Sequence, residues 1–148
     1  MKVEIALETI SQVFIDTAPV IYYIEGSTSF FTVVDAFFQG LLLRSIKAIV
    51  SPVTLAECLV MPVRLKNPEV QQSFINFLTN TKEIETVNID ETVGRQAAEL
   101  RVSYGLKLPD ALQIAVAIRT GCDCFLTNDA ALKRVTEIQA LVLGELEI

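Results

Sequence analysis

The chain contains no histidine and no tryptophan. Without histidine there is no Ser-His-Asp or Cys-His catalysis and no imidazole general base. Proton chemistry therefore falls to carboxylates, lysine, tyrosine or metal-bound water. Cysteine is scarce as well: Cys58, Cys122 and Cys124 make an odd set in a core-forming sequence, which is not a disulfide framework. Cys122 and Cys124 flank Asp123 ahead of an apolar strand, nothing completes a zinc set, and the three read as buried thiols. No apolar run is long enough to cross a bilayer. Glutamates interrupt MKVEIALETISQ where a secretory signal needs an unbroken apolar stretch, so the expected location is the cytoplasm, away from membrane. Gly/Ser linkers, low-complexity tracts and repeats are missing too. Neither GxGxxG nor GxxxxGK[ST] occurs, and nucleotide cofactors are not expected.

What is present suits one globular domain over residues 1–148, with 51% apolar and 20% charged residues. The net charge of -6 argues against broad, non-specific binding to polyanions. It does not argue against a metal-centred site. Carboxylates gathered around metal would supply several of those charges, and two divalent ions would cancel four.

Short apolar strands alternate with longer helical stretches. Strands are expected at Val13 to Ile15, Lys47 to Val50, Ile84 to Ile89, Cys124 to Leu126 and Ala140 to Leu143. Pro19 opens a short helix through Ile24, and a second spans Ser29 to Phe38 and closes near Gly40. Ser51-Pro52 starts a helix that runs to about Val60, before Pro62; MPVRLKNPE then reads as a loop. Val70 to Leu78 is amphipathic. Asp90 caps a helix carrying Val93, Ala97, Leu100 and Tyr104 and stopping at Gly105. Pro109 starts a helix that is apolar on nearly every side, ending at Gly121, and therefore buried. Ala130 begins a short helix. This βα order predicts an α/β fold with a mainly parallel sheet covered on both faces, and a site outside the carboxyl ends of its strands.

Acids sit at those hand-over points. Asp16 follows the first strand, Asp129 follows Cys124 to Leu126, and Glu57 and Asp110 lie near helix starts. Each alone also reads as structure: Asp16 and Asp129 as helix caps, Glu57 in TLAE as a capping box with Thr54, Asp110 as an anion at a helix start. Together they imply more. Two unit charges ~4 Å apart repel by roughly 4 kcal/mol at an effective dielectric near 20, so a convergent set needs a cation or protonation. Hard oxygen donors without imidazole or thiolate favour Mg²⁺ or Mn²⁺ over zinc, and such ions serve in-line attack on a phosphodiester.

FIDTAPVIYYIE, SPVTLAE, LKLPDALQIAVAI and CFLTNDAALKRV resemble, in order, the acidic motifs of PIN-domain nucleases, and among them the VapC-like toxins of toxin–antitoxin pairs. The resemblance runs from about Gln12 to about Val142. It implies a three-layer α/β/α sandwich with a central, mainly parallel sheet. It implies Mg²⁺- or Mn²⁺-dependent endoribonuclease activity, an RNA substrate and a possible antitoxin partner. Asp16, Glu57, Asp110 and Asp129 map onto the family's four acids, with Asp16 and Asp110 the firmest metal ligands. Thr127 stands where relatives often carry a hydroxyl and would support the water network; Asn128 would brace the loop. Gln113 is a departure, because many relatives have histidine three residues after the third acid. The stretch before the first strand is also longer than in many relatives.

Arg44, Lys47, Arg64, Lys66, Arg101 and Lys107 are candidate phosphate contacts, each also an ordinary surface charge. Tyr22 and Tyr23 read as packing residues or base-stacking platforms. The phenylalanine-rich SFFTVVDAFFQGLLL is more than a small domain easily buries, which leads to the expectation of a homodimer. Asp35 and Asp123 are expected to face solvent. Two rivals stand beside the nuclease. A phosphoryl-transfer or receiver domain fits poorly: a haloacid-dehalogenase-type phosphatase needs aspartate where Ala18 stands, and Asn88 to Asp90 and GELEI do not match a receiver. A non-catalytic PIN-like binding or scaffold module is the other.

Overall fold

In a computed structural model describing residues 1–26 and 28–148, five strands form one sheet: β1 (Gln12–Ile15), β2 (Lys47–Val50), β3 (Ile84–Thr86), β4 (Cys124–Thr127) and β5 (Gln139–Val142). The order is β3-β2-β1-β4-β5, and every neighbouring pair is parallel. Residues alternate between the faces as a pleated strand requires. Val13 and Ile15 of β1 pack on one side with Ala48, Val50 and Leu126, whereas Phe14 packs on the other with Ile49 and Phe125. The rings of Phe14 and Phe125, paired across β1 and β4, stack with centroids 5.0 Å apart.

Among the described residues, seven α-helices cover this sheet. On the Val13 face lie α1 (Val3–Glu8), α2 (Thr17–Glu25), α3 (Phe31–Leu43), α4 (Pro52–Arg64) and α5 (Pro68–Asn80); on the Phe14 face lie α6 (Glu91–Tyr104) and α7 (Leu108–Arg119). The result is the expected three-layer sandwich. Ala111, Ile114, Ala115, Val116 and Ala117 of α7 are buried, as an apolar helix must be. No helix among the described residues is long and apolar enough to cross a membrane.

Several boundaries differ from the sequence reading. The segment before β1 folds as α1, whose Leu7 rests on Gly40 of α3, so closely that a Cβ on Gly40 would collide with Leu7 Cδ1. Gly40 is thus a contact point within α3 rather than its end. The expected loop at MPVRLKNPE is mostly helix: α4 continues through Pro62 to Arg64. Pro62 lacks the N–H that would bind the Cys58 carbonyl, but it is buried, and its own carbonyl accepts the Asn67 N–H and Gln71 Nε2. The strand from Ile84 ends at Thr86, whose register partner Val50 is the last residue of β2. Phe37, Phe38, Val34 and Leu41 are buried within the chain, so α3 leaves only Leu43 well exposed for the second copy that its composition suggested. Tyr23 lies against Phe38 and Phe77, and Tyr22 stacks on Phe30, which makes both packing residues. Asp123 is exposed as expected, yet its Oδ2 accepts the backbone N–H groups of Ser11 and Gln12 and fixes the entry into β1. The three cysteines are free thiols.

The chain leaves β1 towards β2 and β3, then crosses back to β4 and β5. The direction of travel therefore reverses between β1 and β4. In an open parallel sheet the connections diverge at such a point and leave a crevice at the carboxyl ends of the strands.

Candidate active site

Asp16 is the residue that ends β1 at this crevice, and it is only 9% exposed. Its Oδ1 accepts the Thr17 N–H at 2.8 Å, which caps α2, and Gln113 Nε2 at 3.0 Å. Its Oδ2 accepts the Thr127 hydroxyl at 2.8 Å from the adjoining end of β4. A carboxylate offers about four lone-pair positions. Three are taken, so one remains, on Oδ2. Burial is the main force pushing the Asp16 carboxyl up to about 6; the bonds from Thr127 and Thr17 oppose it, and the negative charges of Asp110 and Glu57 add to it.

The other three acids reach the same rim by different routes. Glu57 lies in the second turn of α4. It is not a cap, because the capping box is formed by Ser51 and Thr54; instead its Oε1 accepts the Thr17 hydroxyl at 2.7 Å. Asp110 sits half-buried in the first turn of α7, where the helix end favours an anion. Its carboxyl is raised by burial, then by Glu57 and Asp129, with Lys107 and Arg134 pulling the other way. Asp129 caps the short 3-10 helix Ala130–Arg134 through the Ala131 N–H, and its own N–H is donated to Thr127 Oγ1. The four charges thus act on one another: Asp110 and Glu57 on Asp16, and Glu57 and Asp129 on Asp110. The expectation of one tight cup is not met in full. Among the described residues, no three acids lie close enough to share a single ion as they stand.

Residues 13–138, which include all four acids, match the family model of the PIN domain. The chain belongs to the PIN domain family. Solved structures agree in fold. VapBC2 from Rickettsia felis, bound to a DNA fragment from its promoter, is 20% identical, covers 88% of this chain and 98% of its own, and superposes with a TM-score of 0.70. A toxin–antitoxin complex from Klebsiella pneumoniae is 20% identical over 88% of this chain and 97% of its own, with a TM-score of 0.67. VapC20 from Mycobacterium tuberculosis, described as a toxin cleaving the sarcin-ricin loop, is 14% identical over 86% and 98%, with a TM-score of 0.69. No curated protein matches the chain.

Within this PIN domain, the structure gives Thr127 a more definite place than the water network that the resemblance implied. It is fully buried, donates to Asp16 and accepts from the Asp129 backbone, so it fixes two acids relative to each other. Asn128 braces the loop: Nδ2 donates to the Tyr22 hydroxyl, and Oδ1 accepts the Gly144 N–H. Of the candidate cations, Arg44 and Lys47 lie just before and at the start of β2, on the rim opposite the acids, and Lys47 pairs with Glu85. Arg64 is about 10 Å along α4 beyond Glu57. Arg101 is bound to the Leu106 carbonyl. Lys107 stays at the rim, directly ahead of α7. Sequence reading missed Arg134, held there by the carbonyls of Tyr104 and Ala131. Its place five residues after Asp129 in CFLTNDAALKRV was the available signal.

Proposed function

We propose that this PIN domain is a ribonuclease that needs a divalent cation, with Asp16 and Asp110 as its anchoring acids and Glu57 and Asp129 completing the charge. The observation that carries this reading is Asp16 itself. A carboxyl buried at the crossover of a parallel sheet, beside the like charges of Asp110 and Glu57, ionises at a cost that a bound cation would offset. The donors are all hard carboxylate oxygens, a set that fits Mg²⁺ or Mn²⁺. In this reading Asp16 offers the open position on Oδ2, and Asp110, which accepts no hydrogen bond among the described residues, offers its whole carboxylate. Glu57 and Asp129 are exposed side chains at the same rim and complete the set. When bound, the ion supplies the positive charge that a phosphodiester attack by water requires. Lys107 and Arg134 flank Asp110 and meet the phosphates of RNA next to the cut. The solved relatives include a toxin–antitoxin complex and a toxin that cleaves the sarcin-ricin loop, and by analogy this chain is the toxin of such a pair, acting on RNA in the cytoplasm. A homodimer belongs to the same reading; light scattering at micromolar concentration tests it, and the mass of one subunit would remove it.

The direct test is cleavage of total RNA with purified protein. Activity should vanish in EDTA, return with Mn²⁺ or Mg²⁺, and be lost in Asp110→Asn without unfolding. Full activity in EDTA, or in Asp110→Asn, overturns the assignment. The non-catalytic scaffold reading keeps one observation in its favour: no three of the acids stand close enough to share an ion. Calorimetry separates the two, since a scaffold gives no heat with millimolar Mn²⁺.

A further inference from the structure

Gln113 lies one turn after Asp110 on α7, fully buried between three elements. Its amide makes four contacts. Oε1 accepts the hydroxyls of Thr54 at 2.5 Å and Ser51 at 3.3 Å. Nε2 donates to Asp16 Oδ1 at 3.0 Å and to Thr17 Oγ1 at 3.4 Å.

The direction of every bond follows from the neighbours. Ser51 Oγ already accepts the Val53 N–H, and Thr54 Oγ1 already accepts the Ser51 N–H, which closes the capping box of α4. Each hydroxyl keeps its hydrogen, and Gln113 Oε1 is the acceptor within reach of both. With Oε1 committed on that side, Nε2 faces Asp16, which as a carboxylate can only accept. Flipping the amide would set its oxygen against the Asp16 carboxylate, two acceptors with no hydrogen between them. The second Nε2 hydrogen goes to Thr17, whose hydroxyl passes its own hydrogen to Glu57 at 2.7 Å. Donors thus run one way, from the start of α4 through the amide to two acids, and bonds aligned in this manner polarise one another.

We propose that Gln113 is the positioning residue of this site, holding Asp16 directly and Glu57 through Thr17 so that both meet a divalent cation in a fixed orientation. The proposal rests on the metal-dependent reading above. It assigns to a neutral amide the work of orienting two acids that sit on different elements. Partners of this kind, behind a ligand, typically change metal affinity by about 10–100-fold when removed.

The test uses the intact chain with Mn²⁺ as probe, its binding followed by the electron paramagnetic resonance of the free ion. Gln113→Met keeps length and volume without donor or acceptor. It should still melt cooperatively in EDTA and should bind Mn²⁺ about 10–100-fold more weakly. Thr17→Val cuts only the branch to Glu57 and should lose less. A purely structural glutamine would lower the melting temperature of Gln113→Met and leave its Mn²⁺ affinity at the wild-type value; that result overturns the proposal. Should Gln113→Met fail to fold, Thr17→Val carries the same comparison, and unchanged affinity there removes the Glu57 branch. If the wild type itself binds no Mn²⁺ at millimolar concentration, the ion reading falls, and with it the part of the proposal that aims the acids at a cation. The positioning of Asp16 is then decided by nitrogen-15 NMR of the wild-type Gln113 side chain: an amide slow to exchange with solvent supports it, and one exchanging as fast as an exposed glutamine overturns it.

Discussion

Replacing Asp16 by asparagine should stabilise the metal-free protein at neutral pH, and the size of the gain follows from the carboxyl's surroundings. Its native value is about 6 against an ordinary 3.8, mainly through burial. Each unit is worth 1.36 kcal/mol, so the shift corresponds to about 3 kcal/mol. The sign comes from proton counting. Below about pH 4 the group is protonated whether the chain is folded or not. Between about 4 and 6 only the folded state holds the proton. Stability therefore falls as pH rises through that window, and the loss is complete above it. Asparagine cannot ionise and escapes the whole of this loss. It is also accommodated: Oδ1 still accepts from Thr17 and Gln113, and Thr127 Oγ1 has a lone pair left for the new amide. Thermal melts in EDTA at pH 4 and pH 7.5 should show the two proteins separating by roughly 6–12 °C more at the higher pH, since about 3 kcal/mol in a chain of this size moves the midpoint by that much. Millimolar Mn²⁺ at pH 7.5 should close the gap by raising the wild type alone. Parallel pH profiles for the two proteins would refute the reasoning, because they would mean that Asp16 ionises in the fold as easily as in water.

Two further outcomes follow from the fold. Gly40→Ala brings a methyl group against Leu7 and should destabilise by about 1–2 kcal/mol once the helix preference for alanine is offset. In a Leu7→Ala background the same change should instead stabilise by up to about 1 kcal/mol, so a double-mutant cycle in urea reads the contact as a change of sign. Burial pushes the thiols of Cys58 and Cys124 up to about 12, and like charges add to the effect. Thiolate is the reactive form, so alkylation at pH 8 of the native protein, read by mass spectrometry, should modify Cys122 first and leave Cys58 and Cys124 intact until urea is added.

The layers and the sheet were legible because their cause is local: apolar runs of strand length alternate with helical stretches, and parallel pairing buries both faces. The acids were legible for the same reason, since Asp16 and Asp129 follow strands that do pair side by side. What escaped was set by distant partners. The six residues of α1 are too short for a convincing period, and their helix is fixed by Leu7 on Gly40 and by backbone bonds to Glu147. Pro62 is tolerated inside α4 because burial outweighs one missing bond. Glu57, placed with the other acids by the motif pattern, taken alone also read as a cap because TLAE has the spacing, but Ser51 closes the box three residues before Thr54. Gln113 stood out only as a departure from the family pattern. Its partners come from β1, α2 and the start of α4, and nothing along α7 names them.

The chemistry of the partners given to the four acids bears on why the rim remains anionic. Asp16 is held by two hydroxyl- or amide-bearing side chains and a backbone N–H, Glu57 by Thr17, and Asp129 by the Ala131 N–H. The three ion pairs among the described residues, Lys47–Glu85, Arg95–Glu91 and Lys133–Glu145, involve none of the four. Neutral donors orient a carboxylate without cancelling its charge. A lysine or arginine in the place of Gln113 would have given Asp16 an internal counter-ion, which would lower its carboxyl and remove the pull on any outside cation. With glutamine there, the same direction is imposed and the charge is left uncompensated. Burial raises Asp16 and Asp110 first, the repulsion that adds to it is a consequence of how the acids are held, and under the proposed function this uncompensated charge is what a divalent ion would meet at the crossover of β1 and β4.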